Sequence, residues 1–254
     1  MFSVSSRAST QLRAAVAQVT PTRRRYLATH SPLREYFVLV SDRPHADRTR
    51  AFEVDPVPTA CTFSGECLEA GGPREQPKVV GNAFTCMAES VDAVREMMQV
   101  SEYNKKDIWD LSSIVISPLL TVHSSNLPPG SLLQDADEKP SSSVSKELER
   151  LVVLPDMPNV LARRVEIRPR HSPNFVRLHD YGYVSWAGPI FEEHIDADIS
   201  KRPFKGSVMV VNDNDWSGFM EKVKSDIYVK ERIWDMDKAS FIPFRTLMRR
   251  PADH

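Results

Sequence analysis

Cysteine is scarce in this sequence: Cys61, Cys67 and Cys86 are the only three in 254 residues. A small, odd number excludes a disulfide framework and suits a reducing compartment. Long apolar runs are missing as well. None approaches the roughly 18 residues that a membrane-spanning helix needs, so no membrane segment is expected. There is no Gly-rich phosphate loop, no Gly-x-Ser-x-Gly elbow and no dinucleotide fingerprint, which argues against nucleotide cofactors. No cofactor is expected at all. Acid is absent from the first 34 positions, which hold six arginines (Arg7, Arg13, Arg23, Arg24, Arg25 and Arg34). The remainder carries 27 Lys+Arg against 34 Asp+Glu. Such an acidic body argues against a nucleic-acid surface, because phosphate binding needs clustered Lys and Arg.

What is present begins with an address. Ser, Thr, Ala and Arg dominate Met1–His30. As a helix this stretch would gather Leu12, Val16 and Val19 on one face, away from Arg7 and Arg13. That basic, acid-free amphipathic pattern reads as a mitochondrial presequence ending near Arg23-Arg24-Arg25-Tyr26-Leu27-Ala28-Thr29. Matrix localisation is the expectation.

The body is a duplication. Gly81–Pro118 and Gly206–Pro243 are similar without gaps at an offset of 125 positions. Tyr103, Lys105, Ile108, Trp109 and Asp110 recur as Tyr228, Lys230, Ile233, Trp234 and Asp235. Val91, Val94 and Met98 stand where Trp216, Phe219 and Val223 stand, the i, i+3, i+7 stripe of a helix. Ser90 and Asp215 precede those stripes as N-caps, since their oxygens accept from free helix N–H groups. The repeats extend over residues 31–120 and 148–250. Residues 121–147 between them are rich in Ser, Pro, Gly and Asp and read as a flexible linker.

The second repeat gives the clearer pattern. Leu151–Leu154 reads as a buried strand and Pro158–Ile167 as a helix that Pro169 breaks. Ser172-Pro173 restarts a helix that ends before Gly182. Tyr183–Trp186 and Ser207–Val211 read as strands, Asp215–Lys224 as a helix and Ala239–Phe244 as the closing strand. The order β-α-β-β-α-β is that of a ferredoxin-like unit. The fold class is therefore α+β: two tandem ferredoxin-like units packed as a pseudo-dimeric α+β barrel, with higher oligomers allowed.

Lys205-Gly206-Ser207-Val208-Met209-Val210-Val211, Lys224-Ser225-Asp226-Ile227-Tyr228-Val229-Lys230, Ile233-Trp234-Asp235 and Ile242-Pro243-Phe244-Arg245 together resemble the YCII-related domain in its fungal form. Arg168-Pro169-Arg170-His171 resembles the Arg-Pro-x-His segment of the same family. The resemblance covers nearly all of the second repeat and only part of the first. It implies a dimeric α+β barrel and a catalytic His–Asp pair, which fall here on His171 and Asp226. The first repeat has Ser101 at the position of Asp226 and no histidine to match His171.

The residues themselves suggest how such a pair would act. His171, placed before Ser172-Pro173, is expected at a helix N-terminus, whose partial positive charge favours neutral imidazole. Asp226 would orient the ring and stabilise the imidazolium. Arg168, with Arg164 and Arg170, offers a guanidinium for a carboxylate. Tyr228 and Trp186 offer rings to stack on a small organic ligand. Trp109 and Trp234 read as core aromatics. Glu192-Glu193-His194-x-Asp196-x-Asp198 reads as a solvated acidic loop, and Cys61 and Cys67 lack zinc-knuckle spacing, so no metal is expected. Two functions follow: a lyase- or isomerase-type enzyme acting through His171 and Asp226, or a non-catalytic mitochondrial binding or scaffold protein built on the duplicated barrel.

Overall fold

Alternating burial along short β-branched and aromatic segments builds strands in both halves of the chain. The computed structural model describes residues 32–51, 61–71, 77–125 and 149–250. The expected presequence and most of the expected linker lie outside the described residues. The first half contributes β1 (Arg34–Ser41), β2 (Phe63–Leu68), β3 (Val79–Ala88), α1 (Val91–Val100), α2 (Glu102–Lys105), β4 (Val115–Pro118) and β5 (His123–Ser124). The second contributes β6 (Glu149–Pro155), α3 (Leu161–Asp180), β7 (Val184–Phe191), β8 (Phe204–Asn212), α4 (Trp216–Ser225), α5 (Ile227–Lys230) and β9 (Ser240–Arg249). Ser90 and Asp215 cap α1 and α4 as their sequence positions imply, accepting from Ala93 N and Gly218 N.

Among the described residues all nine strands join one antiparallel sheet in the order β4-β1-β3-β2-β9-β6-β8-β7-β5. Pairing of β2 with β9 fuses the two halves. The chain leaving β4 then runs onto the far strand: Leu119 bridges Ile190, Val122 N donates to the Ala187 carbonyl at 3.0 Å, and β5 pairs with β7. The sheet thus closes on itself, and the fold is an α+β barrel made by one chain. Residues 121–125, read as the start of the linker, are a strand segment because their N–H groups complete the open edge of β7.

Two cores result. Inside the barrel, Phe37, Phe63, Leu119, Leu151, Trp186, Val208 and Phe244 pack from both halves. Outside, each half covers its own face with helices: Val94, Met98, Tyr103 and Trp109 in one, Ile167, Phe219, Val223, Tyr228 and Trp234 in the other. The sheet halves therefore meet across a shared apolar interior, as two ferredoxin-like units must when each leaves one sheet face bare.

The matching glycines mark equivalent close approaches of strands. Gly81 sits opposite Ser41 and Gly206 opposite Pro155. A Cβ at either would lie 2.4 Å from a neighbouring carbonyl oxygen, of Val40 and Leu154 respectively. Both contacts are with backbone, which cannot turn aside. Gly206→Ala is expected to destabilise the protein by about 1–3 kcal/mol, measured as a lower midpoint in urea; an unchanged midpoint would refute this account of the glycine pair.

Candidate functional site

One departure from the sequence reading creates the site. Pro169 does not break the helix. Instead α3 runs unbroken from Leu161 to Asp180 with Pro169 and Pro173 inside it. Both prolines are exposed, so their lost hydrogen bonds fall on the solvent side, and Ser172 Oγ donates to the Arg168 carbonyl at 3.0 Å. His171 is accordingly mid-helix, and no helix N-terminus acts on its ring. Continuity also fixes the phase. Arg164, Arg168, His171, Phe175 and His179 are spaced by three or four residues and fall on one face. All five line a cavity of about 310 Å³ between α3, β7, β8 and the segment around His123.

The structure brings His171 and Asp226 together. His171 Nδ1 lies 2.9 Å from Asp226 Oδ1. Asp226 is buried at 3% exposure and caps α5, its Oδ1 also accepting from Tyr228 N at 2.8 Å. A carboxylate on Nδ1 holds the proton there and leaves Nε2 as the nitrogen with a free lone pair. The ring lies flat on Tyr228, with centroids 3.9 Å apart and planes 9° from parallel, and meets Trp234 edge-on at 5.2 Å. Stacking on one side and an edge on another leave the imidazole a single orientation.

Beneath these rings is a buried ion pair. Arg164 donates to Asp156, and its Nη2 reaches Ser207 Oγ at 3.0 Å. Its guanidinium also packs over Phe204 and Tyr228. Burial raises the pKa of the Tyr228 hydroxyl, against the opposing pull of Arg164 and Arg168. The hydroxyl stays a neutral donor, bonded to the Arg164 carbonyl at 3.3 Å.

Of the residues singled out from the sequence, His171, Asp226, Tyr228 and Arg168 are gathered at or beside the cavity. Trp186 is not. It faces the barrel interior at 1% exposure, stacked on Phe63 with centroids 4.1 Å apart, while its neighbour Ala187 lines the cavity. Strand side chains alternate faces, so a one-residue difference decides which reaches the site. Arg170 is exposed and away from it. In the acidic loop, His194 Nε2 donates to the Glu35 carbonyl, Asp196 pairs with Arg34 and Asp198 caps a turn. Among the described residues no group of His, Cys, Asp and Glu is arranged to hold a metal. Burial pushes the Cys67 and Cys86 thiols up to about 12, far from nucleophilic thiolates.

Sequence reasoning missed three contributors. Trp234, read as a core aromatic, forms part of the cavity wall. His123 and His179 close the other end, their rings 3.7 Å apart. Only the unbroken helical stripe would have flagged His179, and only the strand pairing of 121–125 reveals His123.

Against this geometry, comparisons with known proteins are informative. No family model matches the chain. Over 102 residues it is 65% identical to aspercryptin biosynthesis cluster protein B of Emericella nidulans, a match that takes in 40% of this chain and 65% of that protein. The chain thus spans just under two thirds of that relative. Over 98 residues it is 31% identical to fusaric acid biosynthesis protein 2 of Gibberella fujikuroi, 39% of this chain against 93% of the relative. The chain belongs to the family of fusaric acid biosynthesis protein 2. Among solved structures, it resembles the 5-chloro-2-hydroxyhydroquinone dehydrochlorinase of Burkholderia phenoliruptrix at 20% identity over 38% of this chain and 91% of that one, with a TM-score of 0.32. It also resembles the chlorite dismutase of Candidatus Nitrospira defluvii, at 7% identity over 83% of this chain and 91% of that one, with a TM-score of 0.46.

Burial, followed by the His179 and Arg249 charges, pushes the His123 pKa down to about 4. The folded protein thus binds fewer protons here than the unfolded chain between about pH 4 and the ordinary histidine value of about 6.5. Stability from this group is therefore lost as pH falls through that window. His123→Gln is expected to flatten the decline in unfolding free energy between pH 7 and pH 4.5 relative to wild type, read from urea melts at each pH. Parallel profiles would contradict the assignment.

Proposed function

We propose that the cavity is the site of proton transfer on a small organic molecule, a lyase- or isomerase-type reaction in which His171 is the base and Asp226 its partner. The observation that carries this reading is the direct contact between His171 Nδ1 and Asp226 Oδ1 at the cavity wall. With Nδ1 committed to the carboxylate, Nε2 takes a proton from a carbon acid in the cavity, and Asp226 stabilises the imidazolium that forms. Tyr228 fixes the plane of the ring. Arg168 supplies a cation for a substrate carboxylate or enolate. Phe175 and Met209 add apolar wall. Relatives named for aspercryptin and fusaric acid biosynthesis support a small metabolite, not a macromolecule, as the substrate. The YCII-like motifs of the second repeat support the same assignment of the pair, with the first repeat as a degenerate partner. The acid-free start of the chain supports import into the mitochondrial matrix, with cleavage between about Tyr26 and Ser31.

The test is proton exchange. Full-length protein is incubated in D₂O with small enolisable acids, ketones and lactones, and deuterium incorporation is read by mass spectrometry. His171→Gln and Asp226→Asn are expected to lower exchange by about 100-fold or more, with circular dichroism unchanged. Asparagine keeps an oxygen to cap α5, so loss of activity there reports chemistry and not folding. Exchange at the wild-type rate in both variants would remove the pair from the mechanism. An inactive wild type would instead favour the non-catalytic binding role. Fractionation and terminal mass spectrometry of the endogenous protein check the address; an intact Met1 in the cytosol would defeat it.

A further inference from the structure

The duplication supplies an internal control for the site. In the first half, Trp109 Nε1 donates to Asn82 Oδ1 at 3.0 Å, and the same oxygen accepts from Arg48 Nη2 at 2.8 Å. Arg48 in turn pairs with Asp42, which bridges to Trp109 on the backbone, and packs over Tyr103. The second half repeats this construction. Arg164 pairs with Asp156, Asp156 bridges to Trp234, and Arg164 packs over Tyr228. One part differs. At the 125-residue offset Asn82 becomes Ser207, whose hydroxyl takes the arginine but not the tryptophan. Trp234 Nε1 is out of solvent and has no hydrogen-bond partner, and Arg164 Nε is likewise unpaired. Ser207, Trp234 and Arg164 all line the cavity.

A buried indole N–H without an acceptor has given up its hydration with nothing in return. The first half shows that one longer side chain removes that cost. We infer that Trp234 Nε1–H, freed by serine at position 207, is the donor that binds the substrate's carbonyl oxygen and stabilises it as an enolate when His171 removes the neighbouring proton. This rests on the acid–base reading of His171 and names the substrate class: a small carbonyl compound with a hydrogen on the adjacent carbon. His171 Nε2 takes that hydrogen as a proton. The C–H electron pair becomes a C=C bond, the carbonyl π pair moves to oxygen, and the resulting oxyanion sits on the indole N–H. Where the carbonyl compound carries a further C=C bond in conjugation with the enolate, return of the proton at the far carbon re-forms the carbonyl and gives an isomer. Where it carries a β-substituent, the oxyanion re-forms the carbonyl, the enolate C=C pair becomes the new Cα=Cβ bond, and the substituent leaves with its electron pair, giving a lyase product. A donor fixed in place before the charge develops is the arrangement that lowers such a barrier. Trp234 stands edge-on to His171 with ring centroids 5.2 Å apart, and both residues line the cavity.

The experiment uses full-length protein and 1,3-cyclohexanedione, a planar six-membered compound that is enolate at neutral pH, with toluene as a probe of the same size lacking an acceptor oxygen. Binding is measured by ligand-observed NMR. Trp234→Phe keeps an aromatic ring and removes the donor; it is expected to weaken the enolate at least 10-fold while toluene stays within twofold. Ser207→Asn rebuilds the first-half network. It is expected to abolish enolate binding and to raise the melting temperature by about 2 °C or more, a readout that needs no ligand. Equal enolate affinity in Trp234→Phe, no enolate binding to wild type, or a lower melting temperature in Ser207→Asn would each overturn the inference. The two readings fail separately. Trp234-dependent enolate binding without deuterium exchange leaves the donor standing and removes His171 as base. Wild-type exchange in Trp234→Phe does the reverse.

Discussion

One arginine organises the outer core of each half, the buried Arg164 in the second and the half-buried Arg48 in the first. Arg164 is 3% exposed, and a guanidinium taken so far from water must find an anion and further acceptors or lose several kcal/mol. Asp156 supplies the anion, just after β6. The Gly206 carbonyl and the Ser207 hydroxyl on β8 supply the acceptors, the Gly206 oxygen at 3.4 Å. One side chain of α3 thereby ties the helix to two strands and sets the depth at which Tyr228 and Trp234 lie. His171 is two turns further along the same helix. Its position over Tyr228 is a consequence of where Arg164 is anchored.

The first half contains the same anchor in Arg48 and Asp42, yet gathers no His–carboxylate pair. Comparison of the halves separates what they share from what the second half alone carries. The aspartate, arginine, tyrosine and tryptophan occur twice and hold the helices to the sheet. The histidine, its carboxylate partner and the short serine occur once, and of these His171 and Ser207 line the cavity while Asp226 holds the histidine ring. Ser101 caps α2 just as Asp226 caps α5, so the cap is the shared duty and the contact with His171 is the added one.

Much of this was legible from residues alone. Caps at Ser90 and Asp215 and the matching apolar stripes follow from local chemistry and helical period, whereas His171 and Asp226 are singled out by the family resemblance and no spacing in the sequence brings them together. Two features resisted. Proline at 169 is a strong local signal for a break, but α3 gains enough by burying Ile167 and half-burying Phe175 and Leu178 against the sheet to continue through it. Tertiary packing outweighs a local rule of about 3 kcal/mol. Trp186 failed for a different reason: facing in or out is a matter of strand parity, and β7 carries an irregularity in its pairing with β8 between Val184 and Trp186. No composition or spacing announces such a shift.

The segment after β4 links the first half to the cavity of the second. Its residues 119–125 do two things at once: they satisfy the β7 edge, and they set His123 against the open end of the cavity. Without them β7 would present unpaired N–H and C=O groups, and the cavity would lose a wall and open to water. A proton-transfer site needs that exclusion, because a solvated donor is already paired with water and stabilises a developing oxyanion far less than a dry one. The cavity therefore belongs to both halves. The second contributes His171 and the rings that hold it, and the first contributes the segment around His123.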